Sequence, residues 1–120
     1  MTIRRLKTYT GNTGYVYQYY FVGKRPAEPG SHGSAATEYI FDVTSDRKTT
    51  FSVSIFVERD ALEGWAKAHG RPPVEAEEYA AAKMRLFQAF DEVEDMMVDG
   101  RNLTVDEASL EATFANLGVE

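Results

Sequence analysis

The sequence contains no cysteine, two histidines, and no apolar run approaching the roughly 20 residues that a membrane-spanning helix needs. The absence of cysteine excludes disulfide bonds, a thiol nucleophile and zinc sites built on cysteine, and it fits a reducing compartment. The opening MTIRRLKTYT has two arginines but no apolar segment after them, so we expect no secretory signal. We therefore expect a cytoplasmic protein that does not bind membranes.

The 120 residues carry a formal net charge of −6, which is unevenly distributed. Residues 1–48 hold seven Lys/Arg against four Asp/Glu, a net +3, whereas residues 49–120 hold six against fifteen, a net −9. Because binding to nucleic acid rests on neutralising phosphates, the acidic balance argues against a nucleic-acid partner. The sequence also has no glycine-rich turn with the spacing of a phosphate-binding loop.

The order of periodic segments predicts an α+β fold in one domain, 1–120. Alternating apolar residues predict strands within 1–58, and helical spacing follows within 59–118. Strands followed by helices are typical of an antiparallel sheet with its helices on one face, here three to four strands and two to three helices. The predicted strand region comprises a first strand over 2–10, a glycine turn at 10–14, a tyrosine-rich strand over 15–22, a long loop over 24–36, and a hairpin over 37–58.

The hairpin can also be assigned a register. TEYIFDVT and TTFSVSIFVE each place apolar residues at odd positions, and directly opposed residues must share a face of the sheet. Pairing Val43 with Phe51 satisfies both patterns and leaves residues 46–48 as the loop. A slip of two residues would satisfy them as well.

Helix boundaries follow from capping signals. Asp60 with Glu63 predicts the start of a first helix that ends at Gly70. A second helix is predicted from about Pro73 to Val98 because its apolar residues recur every three or four positions. A third is predicted to begin at Thr104, three residues before Glu107.

The segment GYVYQYYFVGK, residues 14–24, departs from the usual pattern of a half-buried strand. One face carries Tyr15, Tyr17, Tyr19 and Phe21, and the other carries Val16, Tyr20 and Val22. One layer of helices covers one face of a sheet and normally leaves polar side chains on the other. Three interpretations remain open: the second face lies under the 24–36 loop, it forms a protein interface, or its rings stack against bases or another flat ligand.

We take a non-enzymatic domain that forms a homodimer through this strand as the leading hypothesis, with another protein as an alternative partner, and expect no cofactor. A single-stranded nucleic-acid or flat-ligand site would use the same rings together with nearby Arg4, Arg5 and Lys7. The residues assigned to the interface or ligand site are Tyr15, Tyr17, Tyr19, Tyr20, Phe21, Lys24, Arg25 and His32.

A third hypothesis concerns the acidic segment DEVED near the end of the second predicted helix. Asp91, Glu94 and Asp95 would lie on one helical face, close enough to bind a divalent cation or to divide acid and base roles in a hydrolase. A solvated helix face explains the same pattern. His32, between Ser31 and Ser34, has no evident orienting carboxylate, so the sequence favours a loop histidine over a catalytic one.

Overall fold

The computed structural model describes residues 6–28, 30 and 32–120. The predicted first strand is therefore described only from Leu6 onwards, and its earlier part lies outside the described residues. The elements, in chain order, are β1 (Lys7–Thr10), β2 (Val16–Pro26), β3 (Ala36–Thr44), β4 (Phe51–Glu58), α1 (Arg59–His69), α2 (Glu75–Glu92), α3 (Met96–Asp99), β5 (Asn102–Val105) and α4 (Glu107–Leu117).

The described strands form one five-stranded sheet in the order β1-β2-β3-β4-β5. The first four are antiparallel neighbours, and β5 lies parallel to β4 after the chain has passed through α1, α2 and α3. The α+β class is confirmed. The prediction of a wholly antiparallel sheet of three to four strands is wrong because β5 lies within the region predicted to be helical.

The predicted hairpin register is confirmed, with Val43 opposite Phe51 and Tyr39 opposite Ile55. The connection is longer than predicted, because the strands end at Thr44 and begin again at Phe51. Within it the Asp46 carboxylate accepts hydrogen bonds from the backbone N–H groups of Lys48 and Thr49, each at 2.8 Å.

Three helix boundaries differ from the predictions. The helix α1 begins at Arg59 without a side-chain cap, so Asp60 lies inside its first turn. The helix α2 ends at Glu92 rather than near Val98. Thr104 lies in β5, and the N-cap of α4 is Asp106, whose carboxylate accepts from the Ser109 backbone N–H at 2.8 Å.

The core lies between the helices and the sheet face that carries the odd-numbered residues of β3, β4 and the first half of β2. We call this the helix face of the sheet, and the opposite one the open face. The β1–β2 turn is held against α2 at Gly11, where a side chain would collide with the Phe90 carbonyl oxygen. Gly14 supplies the positive φ of 95° that closes the turn. This contact fixes β2 relative to α2.

Candidate functional site

The tyrosine strand divides between the two faces of the sheet. Tyr17 and Tyr19 are buried on the helix face, where Tyr17 stacks on Phe90 with ring centroids 4.2 Å apart. Burial raises the pKa of both tyrosine hydroxyls. The prediction that these two residues form an interface or ligand surface is wrong. They belong to the core because α2 packs directly on them.

Tyr15 and Phe21, at the two ends of the same row, are partly exposed. Each lines a cleft between the sheet and the helical layer. Tyr15 lies in a cleft of about 410 Å³ with Phe51 and Met97, and Phe21 in one of about 570 Å³ with Tyr39 and Tyr79. The two rings are therefore accessible, but at separate places and not as one continuous stacking surface.

A β-bulge between Phe21 and Gly23 changes the face on which the following residues lie. Beyond the bulge Lys24 lies opposite Tyr39 on the helix face, and Arg25 opposite Glu38 on the open face. The Lys24 ammonium is 2.7 Å from a carboxylate oxygen of Glu75 in the first turn of α2. The two basic residues predicted to act together are thus directed to opposite sides of the sheet.

The open face carries two sets of hydrogen-bonded polar side chains. The Tyr20 and Ser52 hydroxyls both donate to Asp42, at 2.7 and 3.2 Å. Arg25 Nε donates to one Glu38 oxygen at 2.9 Å.

The second oxygen of Glu38 accepts from the Ser54 hydroxyl at 2.6 Å. Burial alone would raise the pKa of Glu38, but the hydrogen bonds from Arg25 and Ser54 hold it below its ordinary value. Glu38 is therefore charged and fully engaged within the sheet.

Beside these groups, three apolar side chains remain exposed, two on β2 and one just before β1. Val16 and Val22 of β2 are 46% and 40% exposed, and Leu6, just before β1, is 50% exposed. Ile40 of β3 is half-buried on the same face. Among the elements that the structure describes, no helix packs against this part of the open face.

His32 covers a different part of the open face. Its ring stacks on Phe56 of β4 at 4.8 Å, and its Nε2 lies 3.1 Å from a Glu58 oxygen that also accepts from the Ser34 hydroxyl at 3.0 Å. The orienting carboxylate that the sequence did not reveal is therefore Glu58. It lies between the imidazole and the hydroxyl, so the contacts tie the 27–35 connection to β4 and do not activate Ser34 as a nucleophile.

The acidic residues do not share one helical face, because α2 ends between them. Asp91 accepts from the Tyr9 hydroxyl at 2.8 Å and from the Asn12 backbone N–H at 3.1 Å. Asp95 caps the short helix α3, and Glu94 is exposed in the break. The described residues contain no group of three or more candidate ligands arranged to hold a metal ion.

Sequence reasoning missed the residues that line the Phe21 cleft from the other strands and helices. The alternation of TEYIFDVT predicts a core position for Tyr39, and the helical spacing predicts one for Tyr79. These two side chains contact Phe21 because β3 pairs with β2 and α2 crosses both strands. The pattern of residues within a single segment cannot predict such a contact between distant segments. The bulge at Val22, which directs Lys24 to the same place, likewise has no clear signal beyond Gly23.

Comparison with protein-family models, with curated proteins and with solved structures finds no match for this chain. Within the described part of the chain, no helix combines the length and the apolar character required to span a bilayer. Inference about function therefore rests on the geometry given above.

Proposed function

We propose that this protein is a non-enzymatic domain that forms a homodimer through the open face of its sheet, centred on Val16, Tyr20 and Val22. The observation that carries the proposal is the pair of exposed apolar side chains Val16 and Val22 on β2, with the half-buried Tyr20 between them and the exposed Leu6 just before β1. A solvated sheet face normally carries polar residues at such positions. Large exposed apolar patches on soluble domains mark sites of interaction.

The hydrogen bonds of the polar groups on this face lower the cost of burying it against a partner. Glu38 is ion-paired with Arg25 and also accepts from Ser54, and Asp42 accepts hydrogen bonds from the Tyr20 and Ser52 hydroxyls. Burial of this face therefore leaves neither carboxylate without a partner. A second protein surface can therefore cover this area without supplying complementary charges.

The charge distribution is compatible with a second copy as the occupant. On the open face Arg25 is ion-paired with Glu38, whereas Lys24 lies on the helix face, so two copies would not meet through a concentration of like charge. The helical residues, within the −9 part of the chain, would lie on the outside of the dimer. Two identical faces can meet around a two-fold axis, so that the same patch serves both subunits. Approach through the helices would instead bring the two acidic surfaces together.

The buried positions of Tyr17 and Tyr19 weigh against the alternative of base stacking on the strand. A stacking platform needs several rings on one accessible face, and β2 offers Tyr20 alone on the open face. Tyr20 also donates its hydroxyl hydrogen bond to Asp42. Dimer formation requires apolar area rather than free rings, so it remains the better supported function.

The test is sedimentation velocity at micromolar concentrations with the single variants Val16→Lys and Val22→Lys. Each places a charge in the proposed contact, and we expect both to shift a dimer of twice 13.5 kDa towards the monomer. The matched control is Val74→Lys, because Val74 is 56% exposed at the start of α2, in the helical layer. Association should persist at high salt, since apolar contacts dominate it.

Two results would refute the proposal. One is a wild-type protein that sediments as a folded monomer throughout the range. The other is a dimer that Val74→Lys disrupts and the two β2 variants leave intact.

A further inference from the structure

The cleft of about 570 Å³ next to Phe21 lies on the helix face, on the other side of the sheet from the proposed dimer contact. It is formed where the first turns of α2 cross β2 and β3. Its wall is mainly aromatic: the Tyr79 ring lies 5.1 Å from Phe21 and 6.3 Å from Tyr39, measured between centroids. The lining residues are Phe21, Lys24, Tyr39, Glu75, Ala76 and Tyr79.

Tyr39 contributes an unusual polar group to this wall. The residue is 1% exposed, and its hydroxyl makes no hydrogen bond of good geometry among the described residues, although the Glu78 carboxylate lies close enough to interact with it. An unsatisfied buried hydroxyl is destabilising, so native structures rarely retain one without a reason. Burial raises the pKa of Tyr39, and the carboxylates of Glu78 and Glu75 raise it further. The hydroxyl is thus a neutral donor directed towards the first turns of α2.

We propose that this cleft binds a small, neutral, aromatic molecule with an acceptor oxygen, which packs against the Phe21 and Tyr79 rings and accepts a hydrogen bond from Tyr39. The rings provide the flat apolar contact that such sites use, and a single donor fixes orientation. Neutrality follows from the charges near the cleft: the carboxylates of Glu75 and Glu78 disfavour an anionic ligand, and the Lys24 ammonium, which lines the same cleft, disfavours a cationic one.

Lys24 lies over the Tyr39 ring and lines the cleft, so a ligand that contacts this ring must displace it. Its ammonium lies 5.7 Å from the centre of the Tyr39 ring and is ion-paired with Glu75. Both partners are substantially exposed, 36% and 78% by side chain. Exposed pairs of this kind contribute little to stability, so a ligand can displace the lysine at little cost.

The experiment is an NMR titration of the ¹⁵N-labelled protein with three probes of similar size: acetophenone, toluene and benzoate. Acetophenone offers a neutral acceptor, toluene has none, and benzoate carries a negative charge. We expect acetophenone to shift the amide resonances of Phe21, Ala76 and Tyr79 and to bind more tightly than either other probe.

The decisive variant is Tyr39→Phe, with Tyr15→Phe as the matched control at the other cleft. Tyr39→Phe removes an unpaired buried hydroxyl and keeps the ring, so its melting temperature should equal or exceed that of the wild type. It should weaken acetophenone binding about two- to tenfold, the value of one hydrogen bond, and leave toluene binding unchanged.

Three results would overturn the proposal: no acetophenone-dependent shifts at the cleft, equal acetophenone affinity in wild type and Tyr39→Phe, or tighter binding of benzoate than of acetophenone. Each is independent of whether the protein dimerises, because the cleft and the open face lie on opposite sides of the sheet.

Discussion

Gln18 and Tyr19 are neighbours in the chain, yet Tyr19 is enclosed by the core while Gln18 lies on the open face. This alternation decides which residues of β2 can serve an external partner. Substituting Tyr17 or Tyr19 would remove core contacts with α2 and test folding. Substituting Val16 or Val22 tests association, because their side chains are already exposed.

Arg71, in the connection between α1 and α2, is hydrogen-bonded both to the first turn of α2 and to Glu120. The Arg71 guanidinium donates to both oxygens of Glu77, at 2.9 and 3.0 Å, and to the backbone carbonyl of Glu120 at 2.8 Å. It also lies 5.1 Å from the centre of the Trp65 ring. Glu77 in turn accepts from the Val74 backbone N–H at 2.9 Å, which fixes the start of α2.

The hydrogen bonds to Glu77 make the free energy of unfolding depend on pH. The hydrogen bonds from Arg71 and from the Val74 backbone lower the pKa of Glu77 from 4.5 to about 2. Because the folded-state pKa lies below the unfolded value, the stabilisation is fully present above about pH 4.5 and is lost as pH falls towards about 2. In Glu77→Gln, the free energy of unfolding should fall less steeply over that window.

Urea denaturation at several pH values between about 6 and about 2.5 measures this difference. Glu63→Gln, an exposed substitution on α1, is the control and should follow the wild-type curve. A Glu77→Gln profile that parallels the wild type across the window would show that the Arg71–Glu77 contact does not carry the effect.

At the scale of elements, the β3–β4 hairpin was predictable because two long segments alternate cleanly and each constrains the other. Phe41 and Val53 had to share a face, and they do. The four-residue strand β5 was not predictable, since Leu103 and Val105 form too short an alternation to identify a strand. It is stabilised by pairing with β4, a partner more than 40 residues away in sequence.

The end of α2 illustrates the same limit. The apolar spacing of Phe90, Val93 and Met97 continues past the actual helix end, so the sequence pattern predicted an unbroken helix. In the structure Met96, not Met97, is buried, because the chain turns at Val93 and Asp95 starts the new helix α3. The candidate metal ligands depended on this continuity. Because α2 ends at Glu92, these residues do not have the helical spacing that the predicted metal site required.

Helix capping provides a paired prediction. Asp106→Ala removes the hydrogen bond to the Ser109 N–H and should lower the free energy of unfolding by about 0.5–2 kcal/mol. Asp60→Ala should change it by less than about 0.5 kcal/mol at moderate salt, since Asp60 caps nothing and contributes only a screened interaction with the helix dipole. Denaturant unfolding of both variants measures the contrast, and equal losses would contradict the assigned helix starts.

For the whole molecule, the two sides of the sheet have different roles. The helix face holds the core and the aromatic cleft, and the open face combines satisfied polar groups with exposed valines. The sequence indicated that β2 is apolar on both faces, and this remains the feature from which the proposed association follows. It could not indicate which rings α2 would cover, because that depends on the crossing of distant elements.

The central claim, that two copies meet through the open face, is tested most directly by isotope-filtered NMR on a mixture of labelled and unlabelled protein. The account predicts intermolecular nuclear Overhauser effects from the Val16 and Val22 methyl groups and the Tyr20 ring. Intermolecular contacts confined to the helical layer, or a monomer that gives none at NMR concentrations, would contradict it.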